Sequence, residues 1–141
     1  MKNLFKFFGI ISLIVVIGFS IISCGDGAGG GGEAGDYTVT INNIHSSYNG
    51  DSAYNSFLLL DPTSYDAAGP DSNYTVQNGK ITGIFGYRDR MANWDSMEVW
   101  INLDDQGPFI STNKYPVSQK NIVIDAQNMV WHGGKKLSDP K

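Results

Sequence analysis

The chain is 141 residues long, with 41% hydrophobic, 12% aromatic and 17% charged residues, 17 glycines and one cysteine, which is room for one compact domain. The charged fraction lies below the ~25% of an average soluble domain, and the abundance of glycine, tyrosine and asparagine favours strands and turns and argues against a helical bundle or coiled coil. One cysteine excludes an internal disulfide framework, and with no C-x-x-C or close Cys/His cluster there is no thiolate zinc site to propose.

Residues 1–23 read as a secretory signal, expected to be helical. Lys2 and Lys6 make a basic start, and residues 7–22 form an apolar run interrupted only by glycine and serine. A membrane-spanning helix is the competing assignment, but sixteen residues at about 1.5 Å each fall short of the ~30 Å hydrocarbon core, and no basic stop-transfer cluster follows. The run ends in Ile21-Ile22-Ser23-Cys24, which resembles the bacterial lipobox: a branched apolar residue, a tolerated one, a small one, then cysteine. Ser23 stands where glycine or alanine is commoner, a departure the pattern permits. The resemblance implies cleavage between Ser23 and Cys24, diacylglycerol on the Cys24 thiol and acylation of the new amino group. At about 0.8 kcal/mol per buried methylene, two or more chains make a stable anchor. The expected mature protein is therefore held at a bilayer surface without spanning it, and the lipid consumes the only thiol, which excludes a catalytic or redox cysteine.

Residues 24–36 are expected to be the lipidated cysteine and a linker. From Gly25 to Asp36 the chain holds no large apolar side chain, so it cannot bury enough surface to offset its ordering entropy, and a flexible spacer is expected. Gly25, Gly27 and Gly30 match G-x-G-x-x-G, but no strand precedes them and no helical pattern follows, so a nucleotide site is rejected. A partial likeness to glycine/aspartate calcium repeats fails because those sites need stacked copies. Charge is unevenly spread. No lysine or arginine occurs from Gly25 to Gly79, where Asp26, Glu33, Asp36, Asp51, Asp61, Asp66 and Asp71 are all acidic; from Lys80 onward eight basic residues face seven acidic ones. The mature chain would carry eight basic against fourteen acidic side chains, near minus six, which argues against nucleic acid or an anionic membrane face as a partner.

From Tyr37 onward the pattern is one of short strands separated by turns. Tyr37, Val39 and Ile41 alternate with Thr38, Thr40 and Asn42 as a half-buried strand. Tyr48-Asn49-Gly50-Asp51 reads as a turn, and residues 56–60 as a short buried run stopped by Asp61-Pro62 and followed by a polar loop over 63–72. Asn78-Gly79, between Tyr74-Thr75-Val76-Gln77 and Lys80-Ile81-Thr82-Gly83-Ile84-Phe85, predicts a two-residue hairpin, because both turn positions tolerate positive φ. Met97, Val99, Ile101 and Leu103 alternate with Glu98, Trp100 and Asn102 before Asp104-Asp105-Gln106-Gly107-Pro108 turns the chain. Residues 109–112 are expected as a brief edge strand, and 121–125 with 128–132 as a final pair. About seven short antiparallel strands over residues 37–132 predict an all-β fold, a single β-sandwich, with a small β-barrel as the second choice. Residues 133–141 read as a basic polar tail in which Lys135, Lys136 and Lys141 are solvated.

Several of these segments occur together in a recognisable combination. Cys24 with its glycine-rich spacer, Val39-Thr40-Ile41-Asn42-Asn43-Ile44-His45-Ser46-Ser47-Tyr48-Asn49-Gly50, Asn78-Gly79-Lys80-Ile81, Val99-Trp100-Ile101, and Ser111-Thr112-Asn113-Lys114 followed by Asn121-Ile122-Val123-Ile124 resemble small lipoproteins of spirochaetes of the Treponema type. Those proteins carry β-rich modules that open with a V-T-x-x-N-I-P-x-x-Y-N-G-like segment. The likeness spans most of residues 37–131, its motifs are strand edges and turns, and His45 stands where the pattern has proline. It implies an envelope location and a β-rich fold, and no particular activity.

Candidate sites are few. His45 and His132 are the only histidines, and neither has a second histidine or a carboxylate at ligand spacing, so turn and strand-end roles are expected in place of catalysis. No G-x-S-x-G, H-E-x-x-H or G-K-[ST] motif occurs; an enzyme is not expected, nor a cofactor beyond the lipid on Cys24. Asn73-Tyr74-Thr75 formally matches a glycosylation acceptor and is read as ordinary strand. Asp104 and Asp105, and the loop with Asp61, Asp66 and Asp71, are the candidate oxygen ligands for Ca2+. If Val99 and Ile101 face the core, alternation puts Trp100 on the opposite face, and Trp94, Trp100 and Tyr115 become the candidate surface for a protein or glycan ligand. The alternative is that a loop bearing Trp94 or Tyr115 covers Trp100 as a second small core. Trp131 is expected inside, paired through alternation with Met129. The expected function is that of a lipid-anchored, non-enzymatic protein of the cell envelope, on either membrane leaflet, binding a host or envelope component. The alternatives are a structural or antigenic coat module with no dedicated ligand, and a calcium-dependent or carbohydrate-binding module.

Overall fold

The computed structural model describes residues 36–53, 56–70, 72–104 and 106–141. The expected signal, Ser23, Cys24 and the linker up to residue 35 lie outside the described residues, as do Asp71 and Asp105. The folded unit runs Gly35–Lys141, and no described helix is long and apolar enough to cross a membrane.

The strands are β1 (Tyr37–Asn42), β2 (Ser52–Ala53), β3 (Phe57–Leu60), β4 (Ala67–Ala68), β5 (Tyr74–Thr75), β6 (Ile81–Phe85), β7 (Ser96–Leu103), β8 (Gln106–Ser111), β9 (Tyr115–Pro116), β10 (Asn121–Asp125) and β11 (Met129–Val130). In β1 and β7 the alternation of the sequence is realised residue by residue, with Tyr37, Val39 and Ile41 and then Met97, Val99, Ile101 and Leu103 fully buried. One sheet has the order β10-β1-β6, a larger one β11-β8-β7-β3-β4 with β9 also paired to β7, and a small one β2-β5. None closes on itself, so the architecture is all-β and sandwich-like, not a barrel. Both main sheets contribute to one core: Val39, Ile41, Ile81, Phe85, Ile122 and Ile124 from the first, and Phe57, Leu59, Val99, Ile101 and Phe109 from the second. Phe57 meets Phe85 edge-on at 5.0 Å, and Gly83 makes room for it, since a Cβ there would lie 2.7 Å from the Phe57 ring.

The strand set departs from the sequence expectation in four places. The ladder between β1 and β10 is parallel, Thr38 opposite Asn121 through Asn42 opposite Asp125, so the set is not wholly antiparallel and is finer than seven strands. Because β10 joins β1, it does not pair with the segment after it; β11 adds to β8 instead, Met129 opposite Ser111. That makes β8 longer than the brief edge strand expected at 109–112, and places it between β7 and β11. The Asn78-Gly79 turn forms with both residues at positive φ (51° and 69°), and Gln77 and Lys80 exchange backbone hydrogen bonds of 2.8 and 3.0 Å. Beyond that one pair the arms part: Val76 bonds backward to Gly50 and Asp51 (both 2.9 Å), β5 pairs with β2, and β6 pairs with β1. The turn fixes two residues, but burial of Ile81 and Phe85 against β1 decides where β6 goes.

The tail expected to be solvated is part of the domain. Leu137 is fully buried, donates its N–H to Met129 O (3.0 Å) and accepts from His45 N–H (3.2 Å). Lys141 reaches the nearly buried Asp51, with Nζ 2.7 Å from Oδ1 and 2.5 Å from Oδ2. A single leucine among polar residues carries no periodicity, which is why residues 133–141 read as tail. Leu137→Ala should lower stability by about 2–5 kcal/mol through the lost side chain and the cavity left behind. Gly83→Ala should cost about 1–3 kcal/mol by forcing the Phe57 ring away; denaturant unfolding of the three proteins checks both values.

Candidate functional site

On β7 the residues opposite the core, Glu98, Trp100 and Asn102, are half-buried. Register carries that face sideways. Trp100 lies opposite Leu58 of β3 and Ile110 of β8, and Ile110 lies opposite Val130 of β11. Directly opposed residues share a face, so Leu58, Trp100, Ile110 and Val130 form one apolar row across four strands, about 14 Å from end to end at the usual strand spacing. All four are half-buried. The row has a charged margin: Trp100 Nε1 donates to Glu98 Oε2 (3.4 Å), whose other oxygen lies 3.9 Å from Lys114 Nζ. A tryptophan-centred apolar strip with a polar rim is suited to contact with another surface.

The expected trio of aromatics does not assemble there. Trp94 is 6% exposed and belongs to the main core, where the turn formed by Asp89–Asn93 delivers it and its N–H bonds Met91 O (3.1 Å). Tyr115 packs against the same core from β9, and burial pushes its phenol above the ordinary value despite an opposing hydrogen bond with Asn113. Only Trp100 of the three keeps to the outer face. Trp131 is half-buried with its ring 5.9 Å from Phe109, and Met129 is fully buried. Leu58, Ile110 and Val130 were missed as surface residues, yet Phe57-Leu58-Leu59-Leu60 is apolar at every position. Such a run cannot send all its side chains to one core, so at least one of them must lie on the outer face.

Asp61, Asp66 and Asp104 hold local structure. Asp61 accepts from Ser64 Oγ (2.6 Å), Thr63 N (3.0 Å) and Ser64 N (3.2 Å). Asp66 pairs with Arg90 at 3.2 Å and caps Ala67 N at 2.9 Å. Asp104, at φ 46° in the turn after β7, accepts from Ser52 N (3.3 Å). His45 caps the turn Ser46–Tyr48 through its Nδ1, which accepts from Ser47 N–H (3.1 Å), and His132 is exposed. Among the described residues no group of three or more histidines, cysteines or carboxylates is placed to hold a metal ion.

Where the arms of the hairpin part, a cleft of about 580 Å³ opens, lined by Asn73, Tyr74, Thr75, Gln77, Lys80 and Thr82 among others. Its described lining offers amides, hydroxyls and one ammonium but no carboxylate or imidazole, a set that can hydrogen-bond a polar ligand and lacks a general base. Comparison of the chain with protein-family models, with curated proteins and with solved structures finds no match in any of the three.

Two carboxylates give the fold an acid limit. The Ser64 hydroxyl first, then the Thr63 N–H, hold Asp61 below its ordinary value of 3.8; the Gln127 N–H and then the Asn43 amide do the same for Asp125. A depressed carboxylate adds stability that is present above the unfolded value and is lost as pH falls through the folded one. Thermal midpoints measured from pH 7 to pH 2 should be flat to about pH 4 and then fall, with a shallower acid limb in Asp61→Asn.

Proposed function

We propose that the protein is a lipid-anchored lipoprotein of a bacterial envelope, of the kind its segments resemble in spirochaetes, and that its β-domain acts by binding and not by catalysis. The observation that carries this reading is the position of Cys24: the one cysteine of the chain closes the apolar run as Ile21-Ile22-Ser23-Cys24 and is followed by a glycine-rich stretch that leads to the domain at Tyr37. An anchor, a spacer and a small β-domain make a tethered contact device. The row Leu58, Trp100, Ile110 and Val130 supports contact as the domain's role, with Trp100 as its central anchor. Since these four side chains are half-buried and not fully exposed, a coat module with no dedicated ligand is the second reading.

Expression in a bacterium fed an alkyne-tagged palmitate should give a labelled, signal-cleaved protein that partitions into the detergent phase, and Cys24→Ala should abolish label and partitioning. An unlabelled wild type would overturn the anchor. Protease added to intact and then to lysed cells assigns the leaflet: digestion before lysis makes host or matrix components the ligands to screen, and protection until lysis makes them envelope components. For any immobilised matrix protein or envelope glycan that binds, Trp100→Ala should weaken binding roughly thirtyfold, the scale of a central tryptophan. Undiminished binding would remove this face from the reading, and a screen with no ligand would favour the coat module.

A further inference from the structure

The outer edge of β10 differs from those of β6, β4 and β11. At β6 the Tyr74 hydroxyl accepts from Ile84 N–H (2.9 Å). At β4 the Arg90 guanidinium, itself paired to Asp66, donates to Ala67 O. At β11 the returning chain forms a bridge from Val130 to Lys136. Each of these occupies part of an edge that would otherwise accept a further strand. On β10, Thr38 N–H bonds Lys120 O (2.8 Å), which sets the phase of the parallel ladder. Ile122 and Ile124 turn their backbone groups toward β1, and Asn121, Val123 and Asp125 turn theirs outward. On this outward row the Gln119 side chain donates to Asn121 O (3.3 Å), and Asp125 begins the turn Ala126–Asn128, so its carbonyl already accepts one bond and keeps its second lone pair. Val123 is 59% exposed. Lysine often guards such an edge, but Lys120 is turned away, its Nζ lying 3.9 Å from the Tyr37 ring centre and 4.9 Å from that of Tyr87.

The outward row is complementary to itself. We propose that this edge is a homodimerisation surface, on which β10 pairs antiparallel with β10 of a second copy of the chain about a two-fold axis at Val123. In that register the two Val123 residues exchange both backbone hydrogen bonds. Asn121 of each copy faces Asp125 of the other, amide donor against carboxylate, and Ile122 and Ile124 stay in their own cores. Asp125 already accepts from Asn43 Nδ2 (2.6 Å) and Gln127 N (3.0 Å), and a carboxylate offers about four acceptor sites, so it has capacity for the facing amide. A neutral apolar centre flanked by a donor on one side and an acceptor on the other is what a two-fold partner requires; a foreign strand would need no such symmetry. The result is one continuous six-stranded sheet, β6-β1-β10 joined to its copy. Nothing in it depends on the lipid anchor.

Sedimentation equilibrium of the full chain in density-matched detergent tests it. Wild type should show a reversible monomer–dimer equilibrium. Val123→Lys, which sets two ammonium groups face to face, should weaken the dimer tenfold or more, and Asn121→Asp, which sets carboxylate against carboxylate twice, roughly tenfold. Adding Asp125→Asn to Asn121→Asp restores a donor opposite an acceptor and should bring the dimer back to within about threefold of wild type. Asn121 and Val123 are exposed, so thermal midpoints of Val123→Lys and Asn121→Asp should stay at the wild-type value, whereas Asp125→Asn weakens the contacts of Asp125 with Asn43 and Gln127 and should lower the midpoint without preventing recovery of the dimer. One protomer's mass at every concentration would overturn the proposal and leave the edge to a strand from a different protein. A dimer indifferent to Val123→Lys and Asn121→Asp would overturn it in favour of another surface.

Discussion

The contact on which the arrangement depends is that of Phe57 with Phe85 over the bare backbone of Gly83. A ring from the larger sheet stands edge-on to a ring from the smaller one at 5.0 Å, which is possible only because β6 has no side chain at the point of closest approach. Tyr74 also packs edge-on to Phe57, at 6.4 Å, and places its hydroxyl on the Ile84 backbone. Three rings and a glycine thus join the two main sheets and also keep β5 from zipping onto β6. The cleft between the hairpin arms follows from core packing, and the local sequence around it would have closed it.

What the residues made legible was everything governed by short-range pattern. Period-two alternation fixed β1 and β7 and the inward set on each, because one face of each strand had a core to meet and the other did not. Asn78-Gly79 fixed its turn, because few other residues tolerate positive φ at both positions. Partnership was not legible. Pairing of β1 with β10, and separation of β10 from β11, are decided by which apolar faces can be buried together, and neither Val39 nor Ile122 carries information about the other. Leu137 shows the same limit: a lone apolar residue in a polar stretch is core here because β11 and the loop at His45 bring backbone partners to it.

The candidate site was legible only at its centre. Alternation placed Trp100 on the outer face, but Trp94 follows a tight helical turn, where the period-two argument does not extend, and it went to the core. Leu58, Ile110 and Val130 come from three separate strands and become neighbours of Trp100 only through register. Among the described aspartates that composition offers as cation ligands, Asp61 fastens its turn by accepting from Thr63 and Ser64.

The parallel ladder between β1 and β10 bears on how the chain reaches this structure. Thr38 and Asn121 are partners about eighty residues apart, and no tight turn can bring them together, so closing that loop adds an entropic barrier that the β7–β8 hairpin does not face. A nascent chain therefore exposes β1 well before β10 is available to complete it. During that interval one side of β1 and the side chains of Val39 and Ile41 stand open to unwanted contacts, and the time for which they do so is set by emergence of Asn121–Asp125.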